Sequence, residues 1–445
     1  MYDPLIAEKI SPFQGYPKSY WEATTSERIQ FPPIQNNEQT PVVIIGGGFT
    51  GLSAALTLLA HDQPFILLEA NEIGWGCSGR NAGFLLPGSG RLDYSGLAAS
   101  YGNAVAEAVT NEYYQSLQTV DDLLSKLNID VEMTNGGYLK IAHNAKFAKK
   151  MQDAWQALPQ QWKEQYQWLD AKEIASNYVP EYASFGGLFR QQGAGINPLK
   201  LAIAMANKLK QELCQVYCNS PVDAWSREGN THVLNVGNHQ IRTDSVILCS
   251  NAYTPHKLND LSKKQFPVLS SVLVTEPLPQ DIADGWRSGL MAMDTRSLKY
   301  YYRLLPDNRI LFGGRGAVTG KSANSSKSQV QLKQAFNHYF PNLAHIKSAY
   351  FWSGWVSVSA DDIPHVGIYP DSHNVLYATG YCGSGLAFSS HAGKRLAERY
   401  LGIRSAKETE VIYHKPIPAF PFSKFRRIGL RGYYAWYRAM DSLGI

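Results

Sequence analysis

Four apolar residues, Val42, Val43, Ile44 and Ile45, run straight into Gly46-Gly47-Gly48-Phe49-Thr50-Gly51, and a helical run opens at Leu52. This strand, G-x-G-x-x-G turn and helix form the unit that seats a dinucleotide pyrophosphate. Gly46 permits the tight turn, Gly48 lets the backbone approach the phosphates, and Gly51 lets helix and strand pack closely. The phosphates then meet free N–H groups and the positive end of the helix. A second apolar run, Phe65-Ile66-Leu67-Leu68, ends on Glu69. A carboxylate there accepts ribose hydroxyls and repels a 2′-phosphate, which argues against NADP.

The chain has 445 residues, enough for two domains with a cofactor between them. Its net charge is +5, with basic residues spread along most of the chain and an excess near the C-terminus. That distribution gives nucleic-acid binding no special support. The five cysteines, Cys77, Cys214, Cys218, Cys249 and Cys382, form no C-x-x-C pair and no metal spacing. Their odd count fits a reducing compartment without disulfides. No apolar stretch has signal-peptide or membrane-span length, so a soluble cytoplasmic protein is expected.

The periodicity predicts helices over residues 101–127 and about 146–162, and a strand over 137–142. Asn197-Pro198 starts another helix, with asparagine as cap and proline at the first helical position. Strands follow at 232–236 and 245–249, the latter running into Ser250-Asn251-Ala252. Residues 300–305 and 309–314 read as a tyrosine-rich hairpin. The strand at 374–379, the glycine turn 380–385 and the helix 386–400 repeat the first nucleotide-binding pattern.

Glycine-rich loops also occur at Gly76-Cys77-Ser78-Gly79-Arg80-Asn81-Ala82-Gly83 and at Gly380-Tyr381-Cys382-Gly383-Ser384-Gly385. With Gly46 to Gly51, Glu69 and Asn251-Ala252, they resemble the FAD-dependent D-amino-acid oxidase and glycine/sarcosine oxidase superfamily. Four features resemble its gamma-glutamylputrescine oxidase group in particular. They are Tyr20-Trp21-Glu22-Ala23, the Ser-Gly-Arg-Asn loop, Tyr301-Tyr302-Arg303-Leu304 with Asp307-Asn308-Arg309, and a proline-rich tail with Tyr433-Tyr434 and Asp441-Ser442-Leu443-Gly444.

The resemblance implies an α/β fold. A Rossmann-like FAD-binding domain, a mostly parallel sheet flanked by helices, would interleave with an α+β substrate domain built on an antiparallel sheet. The expected FAD domain comprises residues 41–100, 186–265 and 350–410, and the substrate domain 101–185 and 266–349. Residues 1–40 are expected to pack on the body as a lead-in, and 411–445 to form a tail.

The resemblance also implies non-covalent FAD. Its ADP half would rest on Gly46, Gly48, Phe49, Thr50, Gly51, Glu69 and Ala70, with Val222, Asn251 and Ala252 nearby. Gly76, Ser78, Gly79, Arg80, Asn81, Ala82 and Gly83 would run along the cofactor, as would Gly380, Gly383, Ser384, Gly385 and Leu386. The start of the helix after Gly385 would face the flavin N1 and C2-oxygen edge. No cysteine lies between Arg315 and Tyr381 to form the thioether of some relatives.

The implied reaction is oxidation of a C–N bond by hydride transfer to flavin N5, with electrons passed on to O2 or a carrier. Side-chain alternation sets Tyr301 and Arg303 on one strand face and Tyr300 and Tyr302 on the other. Arg303 would bind a substrate carboxylate, with Arg315 as a second anion candidate, and tyrosines would enclose the amine. His391 is the candidate base nearer the ring, whereas His365 in the S-x-D-x-x-P loop reads as structural. Free amino acids, N-methyl glycine derivatives and polyamine conjugates all satisfy this pattern. Two other readings stay open: a membrane-peripheral dehydrogenase held by the basic aromatic tail, with docking of that tail on the body favoured, and a flavin-binding protein without amine chemistry.

Overall fold

The apolar run at 42–45 lies in strand Glu38–Ile45, at the heart of a sheet ordered His365–Ile368, Val375–Thr379, His239–Leu248, Glu38–Ile45, Ile66–Leu68 and Gln215–Tyr217. Every pairing along this path is parallel except that of His365–Ile368. Thr231–Val236 and Ala224–Glu228 add to it antiparallel. This computed structural model describes the chain apart from residues 89–90, 181–183, 256–259, 370–371, 373, 404–409, 421–424 and 444–445.

The second half of strand Glu38–Ile45, residues 42–45, is apolar at every position because both faces are covered there. Val42 and Ile44 join one core cluster and Val43 and Ile45 another. Helices Phe49–Leu59, Pro198–Gln211 and Leu386–Tyr400 supply the first cluster. They approach closely: a Cβ on Gly393 would lie 2.0 Å from the Thr50 carbonyl oxygen. Asn197 caps Pro198–Gln211 as its sequence predicts, its side chain accepting from the Leu199 and Lys200 N–H groups.

The second sheet runs Ser348–Val358, Phe266–Thr275, Ile310–Arg315, Tyr301–Leu304, Met291–Asp294, Tyr138–Ile141, Gly187–Arg190 and Gln167–Leu169. It is antiparallel except between Met291–Asp294 and Tyr138–Ile141. The tyrosine alternation holds. Tyr300 and Tyr302 stack on Phe312 in the aromatic core under helix Ser326–Tyr339, and Tyr301 faces the other way.

Several expected boundaries need correction. The helix expected over 101–127 is Asn103–Leu127, and a separate helix, Tyr94–Tyr101, precedes it because Gly102 at φ +85° turns the chain between them. The helix expected over about 146–162 splits into Ala145–Gln156 and Gln160–Lys163 at Pro159, which lacks the N–H needed to continue. Gly187–Arg190 and Ser348–Val358, expected with the FAD domain, pair into the antiparallel sheet instead.

The first forty residues are bonded to the body through Trp21 Nε1 to Asn81 O, Trp75 Nε1 to Gly15 O and Trp355 Nε1 to Tyr2 O. Helix Arg426–Leu443 presses Leu430 and Tyr434 onto Val268, Leu298 and Cys382 while Phe425, Ile428 and Trp436 stay exposed. Tail residues 421–424 and Gly444 lie outside the described residues. Among the described residues no helix is long and apolar enough to cross a membrane.

Candidate active site

Two cavities meet at the N-terminus of helix Leu386–Tyr400. The first, about 160 Å³, is lined by Gly46, Gly48, Phe49, Thr50, Glu69, Ala70, Gly76, Ser78, Val222 and Asn251. The second, about 290 Å³, lies over the free face of the antiparallel sheet. Cys77, Asn81, Val356, Gly383, Gly385 and Leu386 line both.

The first cavity has the shape a pyrophosphate requires. Gly46 adopts φ +113°, open to glycine, and a Cβ on Gly51 would lie 1.9 Å from the Gly46 carbonyl oxygen. At Gly48 a Cβ would come within 2.8 Å of Ser78 Oγ, so the turn presents bare backbone. Glu69 clamps this turn: Oε2 accepts the Gly47 N–H at 2.7 Å and Oε1 the Asn71 N–H at 2.9 Å. Burial pushes the Glu69 carboxyl up, and these backbone donors oppose it. Ser78 Oγ accepts the Phe49 N–H at 3.0 Å, joining the second glycine loop to the helix start. The glycine turn is thus a formed cradle of bare backbone.

The loop at residues 76–83 is held by its own polar groups. Asn81 donates to the Cys77 and Ser78 carbonyls and accepts the Gly83 N–H. Arg80 is buried over the Trp75 ring at 4.7 Å, donating through Nε to Trp75 O at 2.7 Å. No carboxylate pairs with it among the described residues, and burial lowers its pKa. Arg80 and Ala82 line the second cavity. Gly79, Gly83, Ala252 and Gly380 line neither; Gly79 and Gly83 pack against the Gly74 and Ile196 carbonyls, and Ala252 lies in a core cluster. Asn251 reaches the last glycine turn, accepting from Thr379 Oγ1 at 2.9 Å.

A row of cross-strand neighbours makes the floor of the second cavity: Tyr301, Met293, Lys140 and Leu188 pair in register and all line it. Gly313, opposite Tyr301, leaves room for the phenol; a Cβ there would lie 2.2 Å from the ring. Tyr301 and Ser270 share a hydroxyl hydrogen bond of 2.8 Å, and burial pushes the phenol up to about 12. Tyr301 is therefore a neutral wall and hydrogen-bonding group, not a base. Arg315, Arg91, Lys140 and Lys299 converge on the same space. Lys299 is pushed down to about 8, by burial first and then by Lys140, Arg315 and Arg91.

Two expected catalytic residues are elsewhere. Arg303 lines neither cavity; its guanidinium lies over Trp21 at 5.4 Å and donates to Ile196 O at 2.7 Å. It shares a strand face with Tyr301 as alternation requires, but its long side chain packs into the seam below Gly83 and Gly195. His391 sits between Glu112 Oε1, 2.7 Å from Nε2, and Thr119 Oγ1, 2.7 Å from Nδ1. It ties two helices together outside both cavities. His365 bonds Asp361 and the Lys415 carbonyl, a structural placement.

The pattern reading missed Ile10, Pro221 and Tyr253 in the first cavity, and Arg190, Tyr166, Trp155 and Trp162 in the second. Arg190 ends a short strand next to Phe189, and its inward direction becomes readable only once the pairing with Tyr138 is known.

A glycine-cradled cavity opening onto a basic, aromatic pocket over an antiparallel sheet is the arrangement of a flavin-dependent oxidoreductase. The chain belongs to the DAO family of FAD-dependent oxidoreductases, whose family model matches residues 41–399. Its cofactor is FAD. Among similar proteins, it is 30% identical over 399 residues to a probable oxidoreductase OrdL of Haemophilus influenzae, spanning 88% of this chain and 89% of the relative. It is 28% identical over 430 residues to gamma-glutamylputrescine oxidoreductase of Escherichia coli, covering 96% of this chain and 99% of that protein. The glycine oxidase structure from Geobacillus kaustophilus superposes with TM-score 0.67 at 20% identity, covering 82% of this chain and 95% of that one. These comparisons bear out the superfamily expected from the glycine loops and the α/β fold.

Proposed function

We propose that this chain oxidises a C–N bond in a small amine or amino acid, bound over Tyr301 at the junction of the two cavities. The observation that carries the reading is the convergence of Arg315, Arg91, Lys140 and Lys299 on this cavity, where burial first and these cations after it hold Lys299 down at about 8. The same field disfavours a bound ammonium and favours the neutral amine that hydride donation needs. The likeness to gamma-glutamylputrescine oxidoreductase supports this substrate class.

When bound, FAD supplies the hydride acceptor and hands electrons to oxygen or a carrier. The residues of the chain do the rest. Gly46, Gly48 and Glu69 would hold the nucleotide half, and the positive end of helix Leu386–Tyr400 would stabilise negative charge on the reduced ring. Tyr301, Phe84 and Val356 shield the junction from water, and Arg315 attracts an anionic substituent on the substrate. The half-buried Cys77 and the buried Cys382 have thiols pushed up to about 11 by desolvation, poor nucleophiles for a covalent link, so we take FAD to be held non-covalently.

Purified FAD-loaded protein should turn over amines in air with one peroxide per imine hydrolysed. Turnover with an artificial dye but without peroxide would make it a dehydrogenase, and absence of turnover with any amine would contradict the reading.

A further inference from the structure

The second cavity extends well beyond the redox junction, along the sheet to Arg190. From Tyr301–Leu304 to Gly187–Arg190 there are three interstrand steps, roughly 14 Å at about 4.8 Å each. At that far end Arg190 is buried, its guanidinium 4.9 Å from the Tyr138 ring and 6.0 Å from the Tyr166 ring. One terminal nitrogen makes only long contacts of 3.4 Å, to Pro87 O and Tyr166 Oη. Nε has no hydrogen-bond partner, and no carboxylate pairs with the side chain among the described residues. Tyr114, Trp155 and Trp162 complete the walls.

A buried, always-charged guanidinium without a counter-ion is costly, and a ligand carboxylate reaching it through the cavity would supply the missing charge. The stacked tyrosines hold the fork rigid while leaving it short of acceptors, which is the arrangement a planar carboxylate completes. Arg303 is also buried, but it lies in a packed seam that no cavity reaches.

We propose that Arg190 is a distal anion subsite, binding a carboxylate at the end of an elongated substrate whose amine lies at Tyr301. The substrate class is then a linear amine with a carboxylate separated from the reacting nitrogen by an extended, mostly apolar chain. The aromatic walls between the ends accommodate that chain, and Met293, Leu188 and Lys140, whose ammonium is paired with Asp93, form its floor. This rests on the amine-oxidation reading above and adds a length and charge requirement to it.

The test uses FAD holoenzyme and a series of linear ω-amino carboxylates of increasing chain length, each paired with the alkylamine of equal length. Rates and apparent affinities come from anaerobic loss of the flavin colour. The expected result is a carboxylate preference of about tenfold to hundredfold in kcat/KM, appearing only once the chain spans roughly 14 Å. Arg190→Gln should collapse that preference toward one through KM, and Arg190→Lys should restore part of it. Oxidation of both series with no carboxylate preference at any length would overturn the subsite and leave amine oxidation standing. So would a preference that survives Arg190→Gln. If neither series bleaches the flavin, while wild-type protein holds FAD, the amine reading itself fails.

Discussion

The Glu69 carboxylate accepts the Gly47 N–H at 2.7 Å, so the acid that closes the second strand also clamps the phosphate turn of the first. One side chain thereby couples nucleotide recognition to the shape of the glycine loop. Glu69→Gln sets an amide donor against one of the two backbone N–H groups that the carboxylate satisfies. The expected cost is about 1–3 kcal/mol of stability with a marked fall in bound FAD. The ratio of flavin to protein absorbance, with a thermal melt, checks both.

His391 belongs to the seam between helices Asn103–Leu127 and Leu386–Tyr400. His391→Ala is expected to destabilise the fold by about 1–3 kcal/mol while leaving the flavin reduction rate per bound FAD unchanged. Burial lowers the His391 pKa, so the folded ring resists protonation and its contribution is lost as pH falls below the unfolded value near 6.5. Burial alone would raise Glu112, but the hydrogen bonds from His391 and Tyr413 and the charge of Arg395 hold it at about 2. Its stabilisation is present above its ordinary value near 4.5 and fades as pH drops toward 2. Melting temperature against pH should therefore fall in two stages on acidification, with the upper stage missing in the variant.

Arg303→Met tests the other displaced residue. Because the guanidinium lies on Trp21 and not in the cavity, the apparent KM of the folded, FAD-loaded variant should match the parent. A tenfold rise in KM with unchanged flavin content would return Arg303 to substrate binding.

Lys299 gives the second cavity a titration near neutrality. It is charged below about 8 and loses its proton above it, so affinity for carboxylate ligands should weaken as pH rises through 8. Lys299→Met should remove that step from a ligand titration followed by the flavin spectrum. For stability the sign is opposite. Holding the buried charge penalises the fold fully below about 8, and the penalty lifts as pH climbs toward the unfolded value of 10.5.

Much of the nucleotide site was legible because its chemistry is local. A strand, three spaced glycines and a terminal acid lie within residues 42–69, and no distant contact is needed to orient them. The substrate side was less legible because it is assembled across strands. Tyr301, Met293, Lys140 and Leu188 are far apart in the chain and become neighbours only through sheet register. Alternation correctly set the face of Tyr301 but could not tell that Arg303, two residues on, bends into a seam. His391 misled for a related reason: its helix starts at the flavin end, yet its ring turns toward Glu112 on a neighbouring helix. Pro159 marked the helix break that periodicity alone ran through.

The central claim is that FAD and an amine meet where the two cavities join. Mixing the FAD-loaded protein with a panel of amines and amino acids in the absence of oxygen tests this most directly. The flavin should lose its visible absorbance with at least one of them and regain it when air is admitted. A protein that holds FAD and stays yellow with every amine would contradict the account.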